Sequence, residues 1–424
     1  MLDRLAQEAG SHLRCDKYTV NKWTGGTTPR EAIRPLVVEA LARRLRRPVT
    51  LTEAGFPSVV AGSALGAGPP GDTLEGLLTT GREDMDPSRR KFLATTLYSA
   101  ALPIPAFHEV ADRAEKQTGA PTARVGKGHV ATVRGVTDSI ADILDEHGGA
   151  IARPMAASFI VNTLGPYLRA DASGAVKRDM LSAASDLVYL TGWMAMYEKE
   201  HGRAQQWYHR ALTLARDADD HVTYCRTLRG MALQAANLKL GRRALDLADS
   251  AAQAAPRSGP RLRAFLTGQQ AHGAALVGDR RQAFTRLAET EAALSRADDR
   301  RDAIGGYDLA AYYFHVSSVT YALGDLPASI KAMQDSNRVR PPMEKQGRAH
   351  ASALLAQRRL EAGHLEASCA TWESFLDDYE NLSSARADEH FTTLRATLRP
   401  YRDHRTARSV LIRAGEVGRR KVTV

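Results

Sequence analysis

The sequence predicts an all-α protein, built as a small helical head, a linker and a long array of paired helices. Two patterns carry this reading. Apolar residues recur three and four apart rather than in alternation, and a short phrase of glycine, small residue and large apolar residue returns at intervals of about 40 residues. At 424 residues and 43% apolar, the chain has material for two or three domains with real cores.

The head comes first. Leu2, Leu5, Ala6 and Ala9 fall at helical spacing and stop at Gly10. Asp16 then caps a second helix in "DKYTVNKWTGG". Val20 and Trp23 can turn inward there, leaving Lys17, Tyr18, Asn21 and Lys22 outward before Gly25 and Gly26 end the helix. After Pro29, the residues Ile33, Leu36, Val37, Ala40, Leu41 and Leu45 mark a third helix whose apolar face supplies the core. "RRPVTLTEAGF" closes the unit, giving a first domain over 1–57.

Charge singles out the same region. The chain carries a net +10. Residues 1–50 hold ten basic side chains, Arg14 and Arg30 among them, against five acids, as an electrostatic footprint for phosphate would. Lysines reach phosphates or guanine edges, and asparagine pairs with adenine.

The order "tVxxW", glycine turn, proline, apolar helix and "RPVTxxExGF" resembles the phage-repressor-like (XRE) helix-turn-helix. More closely, it resembles the variant that precedes tetratricopeptide repeats in actinobacterial transcription regulators. The resemblance implies that the second helix enters the major groove of double-stranded DNA, which carries over to Lys17, Tyr18, Asn21 and Lys22, flanked by Arg14 and Arg30. Two departures stand out. The connection "GSHLRCD" is long for a tight turn, and the chain opens inside what should be the first or second helix. Either the start lies upstream or the unit is incomplete.

A flexible linker is expected over 58–87, from the small-residue stretch "SVVAGSALGAGPPG". Behind it "PSRRKFLATTLYSAALPIPAF" looks like a twin-arginine export signal. It is internal, its apolar run from Leu93 to Phe107 is too short to span a bilayer, and Pro103 and Pro105 interrupt it. The expectation is therefore a helix packed on the next domain, in a cytoplasmic protein without membrane contact. Export would require an internal start at Met85. Related regulators carry a similar segment at this junction, as the resemblance implies.

A helical connector is expected over 88–180, with one diverged helical pair between Val130 and Leu181, and a solenoid over 181–424. "LTGWMAMYEKEHGRAQQWYHRALTLA" resembles a tetratricopeptide helix pair: Gly192 where the helices touch, then Ala204, Tyr208 and Ala211. Degraded copies follow around Ala244, Gly278, Gly324 and Gly363, and "LRATLRPYRDHRTARSVL" resembles the closing helix. An array of this kind offers an extended surface rather than one deep site. Taking Gly192 as the eighth repeat position directs Trp193, Tyr197, Arg226, Arg229, Asn237, His272, Tyr321 and Gln357 toward a groove suited to an extended peptide or protein. The plainer reading leaves the aromatics as covers of the core between repeats.

Catalytic patterns are missing from the sequence. "RVGKGHV" lacks the flanking residues of a phosphate loop, "DADDH" and "ADDRRD" sit where polar turns belong, and Cys15, Cys225 and Cys369 stand apart without ligand spacing. No enzyme activity, cofactor or metal is expected. The functional expectation is a transcription regulator, homodimeric because two-fold operators require it. Its alternative is a scaffold that joins proteins through the repeats and keeps only a remnant head.

Overall fold

The computed structural model describes residues 1–8, 15–45, 49–56, 73–85, 97–102, 104, 107, 124–255, 259–297 and 307–422. These residues form an all-α fold of helices packed in consecutive pairs, with one isolated β-bridge between Arg124 and Asp171. They fall into two compact units: residues 1–137 with 153–234, and residues 138–152 with 235–424.

In the first unit the head consists of α1 (Leu2–Glu8), α2 (Lys17–Thr24), a 3-10 turn (Glu31–Ile33) and α3 (Arg34–Leu45). α3 buries two sides. Leu36 meets Leu5 and Ala6 of α1 together with Leu97. Val38 and Ala42 pack with Val49, and Leu51, Ala54, Phe56 and Ala101 close over them. The expected apolar stripe is thus rotated: Leu45 is 55% exposed, past the reach of both contacts, while Glu39 is buried. An acid can occupy that place because Arg43 donates to it from one turn on (2.7 Å) and the backbone N–H of Ala100 from outside (2.9 Å).

Residues 97–102 do not form the helix expected of the twin-arginine-like stretch. Apart from one long turn contact, Leu102 N–H to Ser99 O (3.5 Å), the main-chain contacts described here go to side chains, and Pro103 and Pro105 withhold the donors a continuing helix would need. Arg89 and Arg90 lie outside the described residues, as does the stretch 58–72. Within the expected linker, Thr73–Met85 is helical: this α4 buries Leu77 and Leu78. Gly81 lets it approach Val161 and Trp207, where an added Cβ would lie 2.6 Å from a Val161 methyl.

α5 (Lys127–His147) begins inside "RVGKGHV", and α6 (Gly149–Phe159) follows. A π-helical turn (Ile160–Leu164) leads from α6 into α7 (Gly165–Arg169). Pro166 lacks an N–H and its ring would crowd the carbonyl four residues back, so a wider turn ahead of it relieves both problems.

The pair α8 (Gly174–Tyr197) and α9 (His201–Asp217) matches the expected contact closely: Ala204, Tyr208 and Ala211 are fully buried, and Gly192 lies against Tyr208 and Trp207. α10 (His221–Asn237) comes next. "DADDH" is its cap, with Asp220 accepting from the Thr223 N–H (3.0 Å) and the Ser182 hydroxyl (2.7 Å). α4 adds a buried charge cluster to this unit. Asp84 lies 3.5 Å from Arg153 and 3.4 Å from Arg203, receives the Trp207 indole N–H (3.2 Å), and both arginines also reach Glu200.

The second unit continues with α11 (Gly241–Gln253), α12 (Pro260–Leu276), α13 (Arg280–Leu294), α14 (Leu309–Ala322), α15 (Leu326–Val339), α16 (Lys345–Glu361) and α17 (Leu365–Tyr379). One turn recurs between paired helices, its left-handed residue being Lys239, Gly278, Gly324 or Gly363, all with φ between 60° and 83°. Lys199 holds the same conformation between α8 and α9 (φ 61°). Glycine adopts this region without a Cβ clash and lysine does so at some strain. The expected closing helix is two helices, α18 (Ala385–Leu398) and α19 (Arg405–Val422), separated at Pro400 by a 3-10 turn (Arg399–Tyr401). Their Leu394, Leu398, Val410 and Val417 join Trp372 and Phe375 of α17 in one core. Among the described residues no helix is long and apolar enough to cross a membrane.

Candidate nucleic-acid interface

α2 is short, and its ends explain why it forms. The Asp16 carboxylate accepts from the Thr19 N–H at 2.7 Å, and Thr19's hydroxyl and amide hold that carboxyl below its usual range. At the far end Gly25 N–H returns to Asn21 O (3.0 Å), Gly26 N–H to Trp23 O (3.1 Å), and Gly26 takes φ +102°, which its missing Cβ permits. Upstream, the Cys15 N–H donates to Asp3 of α1 (2.6 Å), tying the start of α2 to the first helix.

The partition of α2 follows the sequence pattern. Val20 and Trp23 are half-buried, whereas Lys17, Tyr18, Asn21 and Lys22 are exposed on the opposite side. Lys22 Nζ stands 4.7 Å from the Tyr18 ring centroid, so the phenol and the ammonium share one patch. Arg30 is exposed beside the 3-10 turn, and Arg44 at the end of α3. Arg14 lies outside the described residues. Arg43 and Arg34 are engaged internally: Arg43 with Glu39, and Arg34 through its Nε, which donates to Pro29 O at 3.1 Å. The arrangement presents two ammonium groups, an amide and a phenol on one helix face, free of internal ion pairs among the contacts above. That is the chemistry that contacts phosphates and base edges.

The repeat residues separate by unit. In the first, Trp193 and Tyr197 are half-buried on α8 with ring centroids 5.4 Å apart, and Tyr189 lies 6.3 Å from Trp193. Arg229 stacks over Trp193 (5.6 Å) and Arg226 over Tyr189 (5.1 Å). Both arginines are over 90% buried, and Arg226 pairs with Asp186 at 2.9 Å. The four predicted residues therefore do meet, but as a mutual arrangement between α8 and α10 in which the guanidinium groups cover rings. Burial pushes the Asp186 carboxyl up, against the pull of Arg226 and Thr223.

In the second unit Tyr321 donates its hydroxyl to Glu361 (3.0 Å) above Arg358 (4.4 Å to the ring centroid). Burial lowers Arg358 to about 10. Gln357 approaches His390 (3.4 Å), which is itself 2.9 Å from His350. His272 is half-buried on α12, and Asn237 is exposed at the end of α10. A cleft of about 550 Å³ opens elsewhere, among α11, α12 and α13, lined by Asp249, Arg263, Gln270, Arg286 and Glu289. Sequence reasoning did not single out those residues, nor Glu39, Asp84, Asp186 or Gln205. The one available signal was an acid or amide falling inside an apolar helical stripe.

Fold and site together define an all-α protein of stacked helix pairs with a small helical head whose second helix exposes a basic, amide-bearing face. A family model described as the SP15 N-terminal domain matches residues 1–57, the head. No curated protein matches the chain.

Proposed function

We propose that the protein is a cytoplasmic, DNA-binding transcription regulator whose head reads double-stranded DNA through α2, while the helix pairs bind a peptide or protein partner. The observation that carries the reading is the α2 face: Lys17, Tyr18, Asn21 and Lys22 all exposed on a helix capped at both ends and seated by Val20 and Trp23. A helix of this length is not stable alone, and caps plus tertiary seating are what let it present side chains in fixed register. Two-fold operators favour a homodimer. Trp193 and Tyr197, half-buried on α8, support partner binding through their remaining aromatic surface, with the buried Tyr189, Arg226 and Arg229 beneath them as support.

Mapping bound DNA across the host genome identifies the operator, and binding is then measured against salt. Asn21→Ala weakens operator binding by about 1–3 kcal/mol and relaxes selectivity at one position if it pairs with a base. Lys17→Ala lowers affinity and, if it meets a phosphate, reduces the salt slope by about 1. Affinity and footprint unchanged by both substitutions refute the assignment. A chain that selects no DNA at all is instead a scaffold that joins proteins through its repeats.

A further inference from the structure

We infer that residues 97–102 form a strap that fastens the head to the helix pairs, and that Gln205 is the positioning residue that fixes the orientation of α2. The head is joined to the repeats by a long stretch of chain, and covalent connection alone leaves such a domain free to turn. The contacts of 97–102 remove that freedom within the first unit.

Two consecutive peptide units, Tyr98–Ser99 and Ser99–Ala100, are each gripped from both sides. Tyr98 O accepts from Arg43 of α3 (3.4 Å). Ser99 is held at both polar groups by one side chain of α9: its N–H donates to Gln205 Oε1 (2.8 Å) and its carbonyl accepts from Gln205 Nε2 (2.7 Å). Ala100 N–H donates to Glu39 of α3 (2.9 Å). Apolar anchors flank the grip. Leu97 enters the core of α1 and α3, Ala101 closes over Val38 and Ala42, and Tyr98 is 1% exposed.

Apolar burial is non-directional and would tolerate sliding. The paired amide contact is directional and admits one register, as a neighbouring β-strand would. Gln205 is 3% exposed, so its two hydrogen bonds are shielded from water and leaving either unmade is costly. Its carbonyl and amino ends match the main-chain donor and acceptor of a single residue, Ser99, which neither a carboxylate nor an apolar residue can do. The inference concerns geometry and holds whether or not the head reads DNA.

The test is a distance between two spin labels on the full chain without DNA. Labels replace the exposed Glu31 of the head and Lys177 of α8, through Glu31→Cys and Lys177→Cys in a Cys15→Ser background, the other two cysteines being buried. The parent shows one narrow distance distribution. Gln205→Ala broadens it while unfolding of the repeats, followed by circular dichroism, stays cooperative. Gln205→Met, which keeps the bulk and supplies neither the donor nor the acceptor, broadens it likewise.

A broad parent distribution, or one equally narrow in Gln205→Ala, overturns the inference. Should Gln205→Ala fail to fold, amide exchange in the unaltered chain decides. Slow exchange at Ser99 and Ala100 supports the strap, and exchange at unprotected rates overturns it.

Discussion

Gly192→Ala is the most direct test of the first helix pair, because two opposing effects can be weighed from the structure. Alanine is the better helix former by about 1 kcal/mol, so propensity alone favours the change. A Cβ on Gly192, however, would sit 2.8 Å and 2.9 Å from two ring carbons of Tyr208 and 3.1 Å from Trp207 Cβ. The Tyr208 ring has little room to yield: it is fully buried, faces Tyr189 at 6.0 Å, and lies near Gly230 on its other side. Overpacking a tight core costs about 1–3 kcal/mol. The clash therefore outweighs propensity, and a net destabilisation of about 1–2 kcal/mol is expected. Gly415→Ala in α19 is the matched control, since only Arg419 Nη1 at 3.9 Å approaches its added Cβ. There propensity acts alone and stabilises by about 0.5–1 kcal/mol. Urea unfolding followed by tryptophan fluorescence reads the first change, Trp23, Trp193 and Trp207 all lying in the first unit. Circular dichroism reads the second. A Gly192→Ala protein as stable as its parent refutes the close approach of α8 and α9.

Two further outcomes follow from buried charge. Asp84→Asn leaves Arg153 and Arg203, 3% and 0% exposed, with Glu200 as their remaining acid among the contacts described. The expected loss is about 3–5 kcal/mol in urea unfolding, and a change under about 0.5 kcal/mol refutes the cluster's role. His350 is buried beside His390, with Arg386, Arg340 and Arg358 also facing it; burial first, then these cations, holds its pKa well below the usual value. Sign follows from linkage: below about pH 6.5 the unfolded chain takes up a proton that the folded chain refuses. Stability of the second unit therefore falls as the pH drops from about 6.5 toward the depressed folded value, by at most about 1.4 kcal/mol per pH unit for this one group. Urea unfolding at pH 7 and pH 5.5, read from Trp372, shows the loss, and His350→Gln shrinks it. An equal loss in that variant assigns the pH dependence elsewhere.

What the sequence disclosed, and what it hid, follows from how far each residue's partners lie along the chain. α2 was legible because its cap, its two seating residues and its terminal glycines all sit within 11 residues of each other. The first helix pair was legible because close packing demands small residues at fixed offsets. α4 was hidden because Gly76 and Gly81 weaken its helical signal; both are there to admit Arg210, Val161 and Trp207, more than 75 residues away. Leu45 and Glu39 exchanged their expected places for the same reason, since the Ala100 N–H that satisfies Glu39 comes from 61 positions downstream. Arg226 and Arg229 carried the right neighbours but the wrong exposure: periodicity places a side chain on a face, and cannot say that a ring of the preceding helix waits beneath it.

The ion cluster around Asp84 has a bearing on how this chain can be divided. Its members come from α4, α6 and the start of α9, and the two arginines are neutralised only when all three segments have assembled. Arrays of helix pairs are ordinarily modular, each pair leaning on its neighbours, so that whole repeats can be trimmed. Here α8 and α9 cannot be excised with their own stability intact: a fragment starting after Met85 would leave two guanidinium groups to share one carboxylate, Glu200. Any minimal repeat fragment must start no later than Thr73.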